Sequence, residues 1–304
     1  MISEIKKLQK ILKLKQKINH KIVSSCILCS GKKFQIFTNT TLFGSNLFYI
    51  NFPYLQCQKC GLIQQKIRLS EKFHHNYYAN ILPRLQSRGR IREKNLFKNS
   101  YLRGKILYKK LSPYFNKGKV YNLLDVGCGS GGVLKAFEEK KWNVYGVDPD
   151  KKLVNSISKK ISSKNLYSKN FEDIKFKKFF FDLIVVSGSL EHVNNLSLVM
   201  KKIEKYSKPK SILFLDAKGY PQDIKENFLN FNHHRLFGPK TMEWLCNKYS
   251  FKKKLCNFNF MSNIKYKLVS KNKVKKSNLY YLGIKDKVSK PKYTKETFFN
   301  RLLK

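Results

Sequence analysis

Residues 123–132 read LLDVGCGSGG, so that a hydrophobic run meets four closely spaced glycines and then enters the helix-forming stretch VLKAFEEKK. Glycines in such a loop let the backbone approach a ligand in conformations that a Cβ would obstruct. Gly127, Gly129 and Gly132 formally satisfy the G-x-G-x-x-G pattern of dinucleotide-binding loops. A P-loop is excluded, because no Gly-Lys-Ser/Thr follows the glycines. The loop predicts a nucleotide-type ligand and leaves open whether that ligand carries phosphate.

Asp125, two residues before the first glycine, distinguishes these two kinds of ligand. Its carboxylate would repel a nearby pyrophosphate, since both groups are negatively charged. The same carboxylate could attract, or organise water around, the ammonium and sulfonium groups of S-adenosylmethionine, which has no phosphate. The loop therefore favours S-adenosylmethionine over NAD.

The sequence around the loop predicts an α/β fold. From residue 120 onward hydrophobic strands alternate with amphipathic helices, which predicts a parallel sheet covered on both faces. Ligands of such sheets bind beyond the carboxyl ends of the strands. The second predicted strand ends in VYGVDPD, where Asp148 could accept hydrogen bonds from both ribose hydroxyls. An aspartate at a strand end can also be a simple cap, but its spacing from the loop favours the ligand role.

Three motifs in this region occur in a characteristic order. DVGCGSG at 125–131, VYGVDPD at 144–150 and FDLIVVSGSLEHV at 181–193 together resemble the class I S-adenosylmethionine-dependent methyltransferases. The resemblance covers residues 119–288. It implies a Rossmann-like seven-stranded sheet with helices on both faces and a reversed final strand, for which SNLYYLGIKDK at 277–287 is the candidate.

The resemblance also implies a set of cofactor-binding residues. Asp125 and the loop glycines would line the methionine end of the cofactor, and Asp148 would bind its ribose. Asn170 stands where the family often has an aspartate, but its amide oxygen can still accept from the adenine amino group. The implied residues are Asp125, Gly127, Gly129, Gly131, Asp148, Asn170, Phe171 and Ser187.

Two histidines are candidates for the catalytic base that activates the methyl acceptor. His192 follows the fourth predicted strand, and His233 matches a histidine of the family's later loop. Histidine suits removal of a hydroxyl proton at neutral pH, although either residue could instead shape the pocket. Glu191 could orient such a base or cap the next helix. His74 and His75 are expected to be exposed unless their segment forms a lid.

Four of the seven cysteines form two C-x2-C pairs separated by 27 residues. Two such turns can present four thiolates to one tetrahedral Zn²⁺, and a site filled by cysteines leaves no position for a catalytic water. The residues between the pairs predict the short strands of a zinc ribbon. The spacing therefore predicts a structural zinc, whereas Cys246 and Cys256 are expected in the core. The predicted ligands are Cys26, Cys29, Cys57 and Cys60.

The resemblance extends to segments outside the three motifs. The ribbon ends in Cys-Gly-Leu, a Tyr-Tyr pair follows it, and HHRLFGPKTMEWLCNKYSF occurs at 233–251. These segments are similar to zinc-ribbon methyltransferases found among sugar and surface-polysaccharide enzymes. The similarity implies a small-molecule acceptor, namely a sugar or surface-polysaccharide precursor.

The formal net charge of +44 and the sequence pI near 10.0 support a different hypothesis. A strongly basic chain favours nucleic acid or an anionic surface as partner. Because only 8 of the 63 basic residues are arginine, AT-rich codon usage also accounts for the charge. RNA methylation is the alternative function, and a non-catalytic scaffold is a second alternative that the intact loop disfavours. Arginines concentrate in one segment: Arg68, Arg84, Arg88, Arg90, Arg92 and Arg103.

Composition and motifs divide the chain into five segments. They are a basic N-terminal helix (1–22), the ribbon (23–66), a helical connector or cover (67–118), the methyltransferase domain (119–288) and a basic C-terminal tail (289–304). The apolar spacing of the first segment predicts a helix that packs on its own protein or docks on a membrane or partner. No apolar run reaches the roughly 18 residues of a membrane span, and the first twenty residues do not read as a secretory signal. These features favour a cytoplasmic location.

Overall fold

Short strands flank the two cysteine pairs in the N-terminal part of the molecule. The computed structural model describes residues 2–12, 17–39, 41–43, 48–77, 80, 90–220, 233–261 and 278–286. Its first elements are α1 (Ile2–Ile11), β1 (His20–Ile22), β2 (Phe34–Thr38), β3 (Thr41–Phe43), β4 (Phe48–Ile50), β5 (Tyr54–Cys57), β6 (Ile63–Gln65), β7 (Ile67–Leu69) and α2 (Glu71–Asn76). Strand β5 pairs antiparallel with β2 and with β6, and the second cysteine pair lies in the turn between β5 and β6.

The first helix is held by a small apolar core. Ile5 and Leu8 of α1 are buried together with Ile18. Their partners lie in β7, in α2 and beside those elements: Phe52, Ile67, Leu69, Phe73 and Tyr77. No helix of the described ranges has both the length and the apolar character needed to cross a bilayer. The apolar side chains of α1 therefore pack on the protein itself, as expected if the helix belongs to the fold and does not dock on a membrane or partner through this face.

A mixed sheet forms the centre of the molecule, with seven strands in the described part of the chain. The elements that build and surround it are α3 (Arg90–Leu111), β8 (Asn122–Val126), α4 (Gly132–Glu138), β9 (Asn143–Val147), α5 (Lys151–Ile157), β10 (Leu166–Tyr167), β11 (Phe181–Ser187), α6 (Leu196–Tyr206), β12 (Ser207–Lys218), β13 (Arg235–Leu236), α7 (Pro239–Lys248), β14 (Phe251–Asn257) and β15 (Asn278–Lys285). The order is β10-β9-β8-β11-β12-β15-β14, and β15 runs antiparallel to both neighbours. The predicted Rossmann-like methyltransferase sheet with a reversed final strand is confirmed.

Strand β11 illustrates why the strands are continuous apolar runs. Ile184 and Val186 point into a core shared with α6 and α7. Leu183 and Val185 point to the opposite face, into a core shared with α3 and α4. All four side chains are fully buried. Since alternate residues of a strand face opposite sides, helices on both faces require apolar residues at every position.

Helix α3 crosses α4 at a contact that has no room for side chains. A Cβ on Gly132 would lie 2.2 Å from the backbone nitrogen of Tyr101, and one on Gly104 would lie 2.8 Å from the Cβ of Ala136. The helices can approach this closely because both positions are glycine. Helix α4 begins directly after the glycine loop, so the contact holds the loop against α3.

The ribbon and the methyltransferase region share a second sheet. Strand β13 pairs antiparallel with β6, with Arg235 opposite Gln64. The Thr241 hydroxyl at the start of α7 donates to the carbonyl oxygen of Cys60 at 2.7 Å. The loop that contains the two adjacent histidines is therefore attached to the ribbon by backbone hydrogen bonds.

Replacing Gly132 by alanine should destabilise the protein. In an ordinary helix this change stabilises by about 0.5 to 1 kcal/mol, because glycine loses more backbone entropy on folding. Here the added methyl would overlap the backbone of α3, and overpacking of this kind costs about 1 to 3 kcal/mol. Urea unfolding should therefore give a lower free energy of unfolding, while the control Asn155→Ala on the exposed face of α5 should change it by less than about 0.5 kcal/mol. A stabilised Gly132→Ala variant would contradict the close contact.

Candidate active site

The glycine loop after β8 adopts backbone conformations that suit glycine. Gly127, Gly129 and Gly131 have positive φ angles of 76°, 53° and 76°. At Gly127 a Cβ would in addition lie 2.6 Å from the Cβ of Ser189. The Gly127 N–H donates to the carbonyl oxygen of Val147 at 2.8 Å. The loop is therefore fixed at the carboxyl ends of β8 and β9.

Asp148 follows β9 and faces the loop. One of its carboxylate oxygens accepts the N–H of Gly129 at 2.9 Å, and the other accepts the N–H of Asp150 at 2.9 Å. These two bonds orient the carboxylate, and a carboxylate oxygen can accept more than one hydrogen bond. Asp150 in turn caps helix α5 by accepting from two backbone N–H groups of its first turn.

A cavity of about 580 Å³ opens beside the loop, within the range typical of small-molecule sites. The Asn170 amide nitrogen at its wall donates to the carboxylate of Asp173 at 3.3 Å. The ring of Phe171 is buried edge-on against Tyr206. Predicted site residues in the cavity lining are Gly127, Gly129, Asp148, Asn170, Phe171 and His192.

Asp125 lies beneath the loop rather than on the cavity wall. Its side chain is buried and lies outside the described lining of the cavity. Burial raises the pKa of the Asp125 carboxyl to about 7; the negative charge of Asp148 acts in the same direction, and Arg103 opposes both. Two neighbouring carboxylates in a medium of low dielectric resist being ionised together. A cation bound near them would favour the charged form of Asp125.

A partly buried ion pair lies at the same sheet edge. Arg103 of α3 donates to the carboxylate of Asp216 at 3.0 Å and to the hydroxyl of Ser187 at 2.6 Å. Ser187 itself donates to Asp216 at 3.0 Å. Ser187 and Gly131, both predicted cofactor residues, lie outside the described cavity lining. The sequence suggested neither the role of Asp216 nor its contact with Arg103, because no motif or spacing links these positions.

Four histidines of the described chain form two ring pairs, and one member of each pair, His192 or His74, lines the cavity. The ring centroids of His192 and His233 are 5.1 Å apart, and those of His74 and His234 are 4.1 Å apart. Burial lowers the pKa of His74 to about 3, and it lowers the pKa of His233 and of His234 well below the ordinary value. His74 was expected to be exposed; this expectation is wrong, because α2 places it in the protein interior. His75 has no described side-chain environment.

Glu191 joins the predicted histidine pair. Its side chain is buried, and burial raises the pKa of the carboxyl to about 7. One possible metal-ligand atom from each of Glu191, His192 and His233 lies within 4.8 Å of the other two. The backbone N–H of His234 donates to the carbonyl oxygen of Glu191 at 3.0 Å, and this bond connects the loop after β11 to the loop before β13.

The four predicted zinc ligands converge at one point of the ribbon. Their Sγ atoms all lie within 4.8 Å of one another, and contacts of 3.5 Å join Cys26 to Cys60 and Cys29 to Cys57. Sulfurs at about 2.3 Å from a tetrahedral zinc lie about 3.8 Å apart. The backbone reverses after the second pair at Gly61, where φ is 72°. The cluster therefore has the size and the donor atoms that suit zinc.

These features define a class I S-adenosylmethionine-dependent methyltransferase domain: the strand order with a reversed β15, the glycine loop after β8 and the aspartate after β9. A family model described as a methyltransferase domain matches residues 96–254, which is more than half of the chain. The chain belongs to this methyltransferase-domain family.

Named relatives are methyltransferases, and a solved structure shares the fold. The chain is 32% identical over 100 residues to (S)-tetrahydroprotoberberine N-methyltransferase of Eschscholzia californica, covering 31% of this chain and 29% of the relative. It is 32% identical over 104 residues to (S)-tetrahydroprotoberberine N-methyltransferase 2 of Papaver bracteatum, covering 31% and 28%. A chain from the complex of the Haloferax volcanii Trm112 methyltransferase activator with a methyltransferase has a TM-score of 0.50, 12% identity and coverage of 63% of this chain and 94% of its own. The matched part is less than a third of each curated relative's length.

The raised pKa of Asp125 predicts a pH-dependent effect of Asp125→Asn on stability. The unfolded chain loses this proton near the ordinary aspartate pKa of 3.8, whereas the folded protein keeps it up to about pH 7. Asp125 therefore stabilises the fold less and less as the pH rises between these values. Relative to the original protein, Asp125→Asn should gain about 2 to 4 kcal/mol of unfolding free energy between pH 4 and pH 8. Urea unfolding at several pH values measures this, and a constant difference across the range would refute the raised pKa.

Proposed function

We propose that this protein transfers the methyl group of S-adenosylmethionine to a small-molecule acceptor. The observation that carries the proposal is a single cavity whose lining runs from the glycine loop and Asp148 to His192. In methyl transfer the acceptor's lone pair bonds to the methyl carbon while the S–CH₃ electron pair returns to the positively charged sulfur. Because the sulfonium is a good leaving group, the site must mainly align the two reactants.

In the proposed cofactor position, each part of S-adenosylmethionine contacts a different group of lining residues. The glycine loop faces the methionine part, Asp148 accepts hydrogen bonds from the ribose hydroxyls, and Asn170 and Phe171 contact the adenine. Asp125, Gly131 and Ser187 lie outside the cavity lining and would support the residues that form it. In this arrangement the negative charge of Asp125 attracts the cationic groups of the cofactor through the glycine loop, without direct contact.

The charge of the cavity supports a cofactor without phosphate. The described lining contains five carboxylates and one lysine: Glu71, Asp148, Asp150, Glu172, Asp173 and Lys72. An excess of negative charge in a recessed site repels pyrophosphate and attracts cations. The sulfonium and ammonium groups of S-adenosylmethionine suit this environment, although the whole chain carries +44.

Titration calorimetry of the purified protein with S-adenosylmethionine, and separately with NAD, tests the cofactor assignment. S-adenosylmethionine should bind and NAD should not. Asp148→Ala should weaken binding by about 1 to 3 kcal/mol, because the ribose hydroxyls lose their acceptor. Glu71→Gln removes an exposed carboxylate of the same cavity and should leave the affinity nearly unchanged. Equal affinity in Asp148→Ala would remove Asp148 from the site, and binding of NAD alone would overturn the proposal.

For the acceptor we favour a sugar or surface-polysaccharide precursor. The support is the similarity of the ribbon and of the HHRLFGPKT segment to methyltransferases of such compounds. The two curated relatives are named as N-methyltransferases of a small alkaloid, so oxygen and nitrogen acceptors both belong in a first screen. Formation of S-adenosylhomocysteine with each acceptor is the readout.

RNA is the weaker candidate acceptor. Two of the six clustered arginines make intramolecular contacts: Arg103 pairs with Asp216, and Arg68 donates to the carbonyl oxygen of Asn194 at 2.5 Å. Arg84 and Arg88 lie outside the described residues. RNA binding would also fall steeply with added salt, whereas turnover of a neutral sugar would change little.

We assign acceptor activation to His192, and His233 is the second candidate. His192 belongs to the cavity lining together with Gly188 and Ser189. Two chemical routes are available to such a pair. A histidine can take the proton of an acceptor hydroxyl, or the pair can hold a metal ion against the acceptor oxygen.

We propose that the four clustered cysteines hold a structural Zn²⁺. We also propose the division of the chain into segments 1–22, 23–66, 67–118, 119–288 and 289–304, in which α3 belongs to the connector and packs on α4 of the methyltransferase domain. The support is the convergence of the four Sγ atoms. With all four ligand positions filled by thiolates, the ion would stabilise the fold and perform no chemistry. The tail at 289–304 lies outside the described residues.

Cys57→Ser should lose bound zinc. Elemental analysis should give one zinc per chain fewer for the variant than for the original protein, because an alcohol is a far weaker ligand than a thiolate. Cys256→Ser is the matched control, since Cys256 is half-buried against the core and lies outside the cluster. A zinc content in Cys57→Ser equal to that of the original protein would rule out the four-cysteine site.

A further inference from the structure

Glu191, His192 and His233 form a second group of metal-ligating side chains, distinct from the four cysteines. Their potential ligand atoms lie within 4.8 Å of one another. The group borders the proposed site, because His192 belongs to the cavity lining. The ion would therefore be reached through the cavity.

Two atoms of this group lack the partners that buried polar atoms normally have. Within the described part of the chain, neither the Oε2 of Glu191 nor the Nδ1 of His233 has a hydrogen-bond partner. Buried polar atoms are almost always paired, since an unpaired one loses its hydration without compensation. A cation between the carboxylate and the imidazole would satisfy both atoms.

The backbone that carries these ligands is held from two sides. The guanidinium of Arg235 donates to the carbonyl oxygens of Leu190 at 3.2 Å and Val193 at 2.7 Å, on either side of Glu191 and His192. The hydroxyl of Tyr54 donates to the carbonyl oxygen of His233 at 2.5 Å. Ligands fixed in this way lose little freedom when a metal binds, which favours binding.

We infer that Glu191, His192 and His233 bind one divalent transition-metal cation. Two imidazoles and one carboxylate are a donor set that suits Fe²⁺, Mn²⁺, Co²⁺ or Zn²⁺ and leaves coordination positions open. Ligand atoms at about 2.1 Å from one ion lie about 3 to 4 Å apart. The three ligand atoms lie within 4.8 Å of one another, so side-chain rotations that shorten these separations to about 3 to 4 Å would complete the site.

The role of the cation in catalysis rests on the proposed function, whereas its binding does not. An acceptor hydroxyl on an open position would lose its proton to water in the cavity, because a divalent cation lowers the pKa of a bound oxygen. The oxygen lone pair then forms the O–CH₃ bond, and the S–CH₃ pair leaves with sulfur. The products are the methyl ether, S-adenosylhomocysteine and one proton. His192 and His233 would hold the cation and would not take the proton.

Mn²⁺ titrated into full-length protein that carries a single zinc equivalent per chain tests the site, because four thiolates hold that zinc more tightly than two imidazoles and a carboxylate do, and they disfavour manganese. The free Mn²⁺ signal in electron paramagnetic resonance should show one bound equivalent. Glu191→Gln and His233→Ala should weaken Mn²⁺ binding at least about tenfold, as expected when a ligand is removed. The matched controls are Glu172→Gln, a carboxylate of the same cavity, and His234→Ala, the adjacent buried histidine. Both should retain Mn²⁺.

A second measurement needs no variant. Mn²⁺ should broaden the ¹³C-methyl resonance of labelled S-adenosylmethionine bound to the original protein, whereas diamagnetic Zn²⁺ should not. Absence of bound Mn²⁺, or unchanged Mn²⁺ binding in both ligand variants, would overturn the inference. An unbroadened methyl resonance in protein that binds both Mn²⁺ and S-adenosylmethionine would overturn the catalytic role of the cation. Calorimetry of S-adenosylmethionine on the same samples reports the proposed function separately, so the two proposals can fail independently.

Discussion

The parallel pairing of β8 with its two neighbours is the constraint on which the rest of the molecule depends. Val126 at the end of β8 lies opposite Val147 of β9 and Val186 of β11. Because the three strands end at the same level, the glycine loop, Asp148 and the turn at 188–189 emerge at one edge of the sheet. A shift of one residue in any strand would move its apolar side chains to the wrong face and separate these groups.

Much of the fold could be predicted, because it follows from local patterns. The alternation of apolar strands with amphipathic helices predicted the sheet, and the segment at 277–287 was correctly expected as its reversed strand. The two C-x2-C pairs predicted neighbouring cysteines, which the structure brings together. In each case the residues that decide the outcome are close in sequence, so that spacing alone carries the information.

Other parts of the site depend on contacts between distant segments and could not be predicted. The bond of Arg103 to Asp216 exists because α3 crosses α4 at two glycines, which is a tertiary contact without a sequence signature. His74 is buried because α2 packs near the loop at 233–234, where its ring contacts His234. The composition was also a poor guide to the cavity, since a chain of net charge +44 gives the described lining five carboxylates and one lysine. Overall charge describes the outer surface, whereas the site depends on a few nearby groups.

Strand β13 connects the two halves of the molecule. It follows the two adjacent histidines and is hydrogen-bonded to the ribbon's strand β6, while the glycine loop and Asp148 belong to the central sheet. His192 follows β11 of the central sheet, whereas His233 closely precedes β13 of the second sheet, so that this histidine pair is assembled from both halves of the molecule. Substitutions in the ribbon that shift β6 would move β13 and His233 with it, whereas the glycine loop and Asp148 would keep their positions on the central sheet. The geometry of the cluster at Glu191, His192 and His233 can therefore be adjusted without rebuilding the cofactor loop.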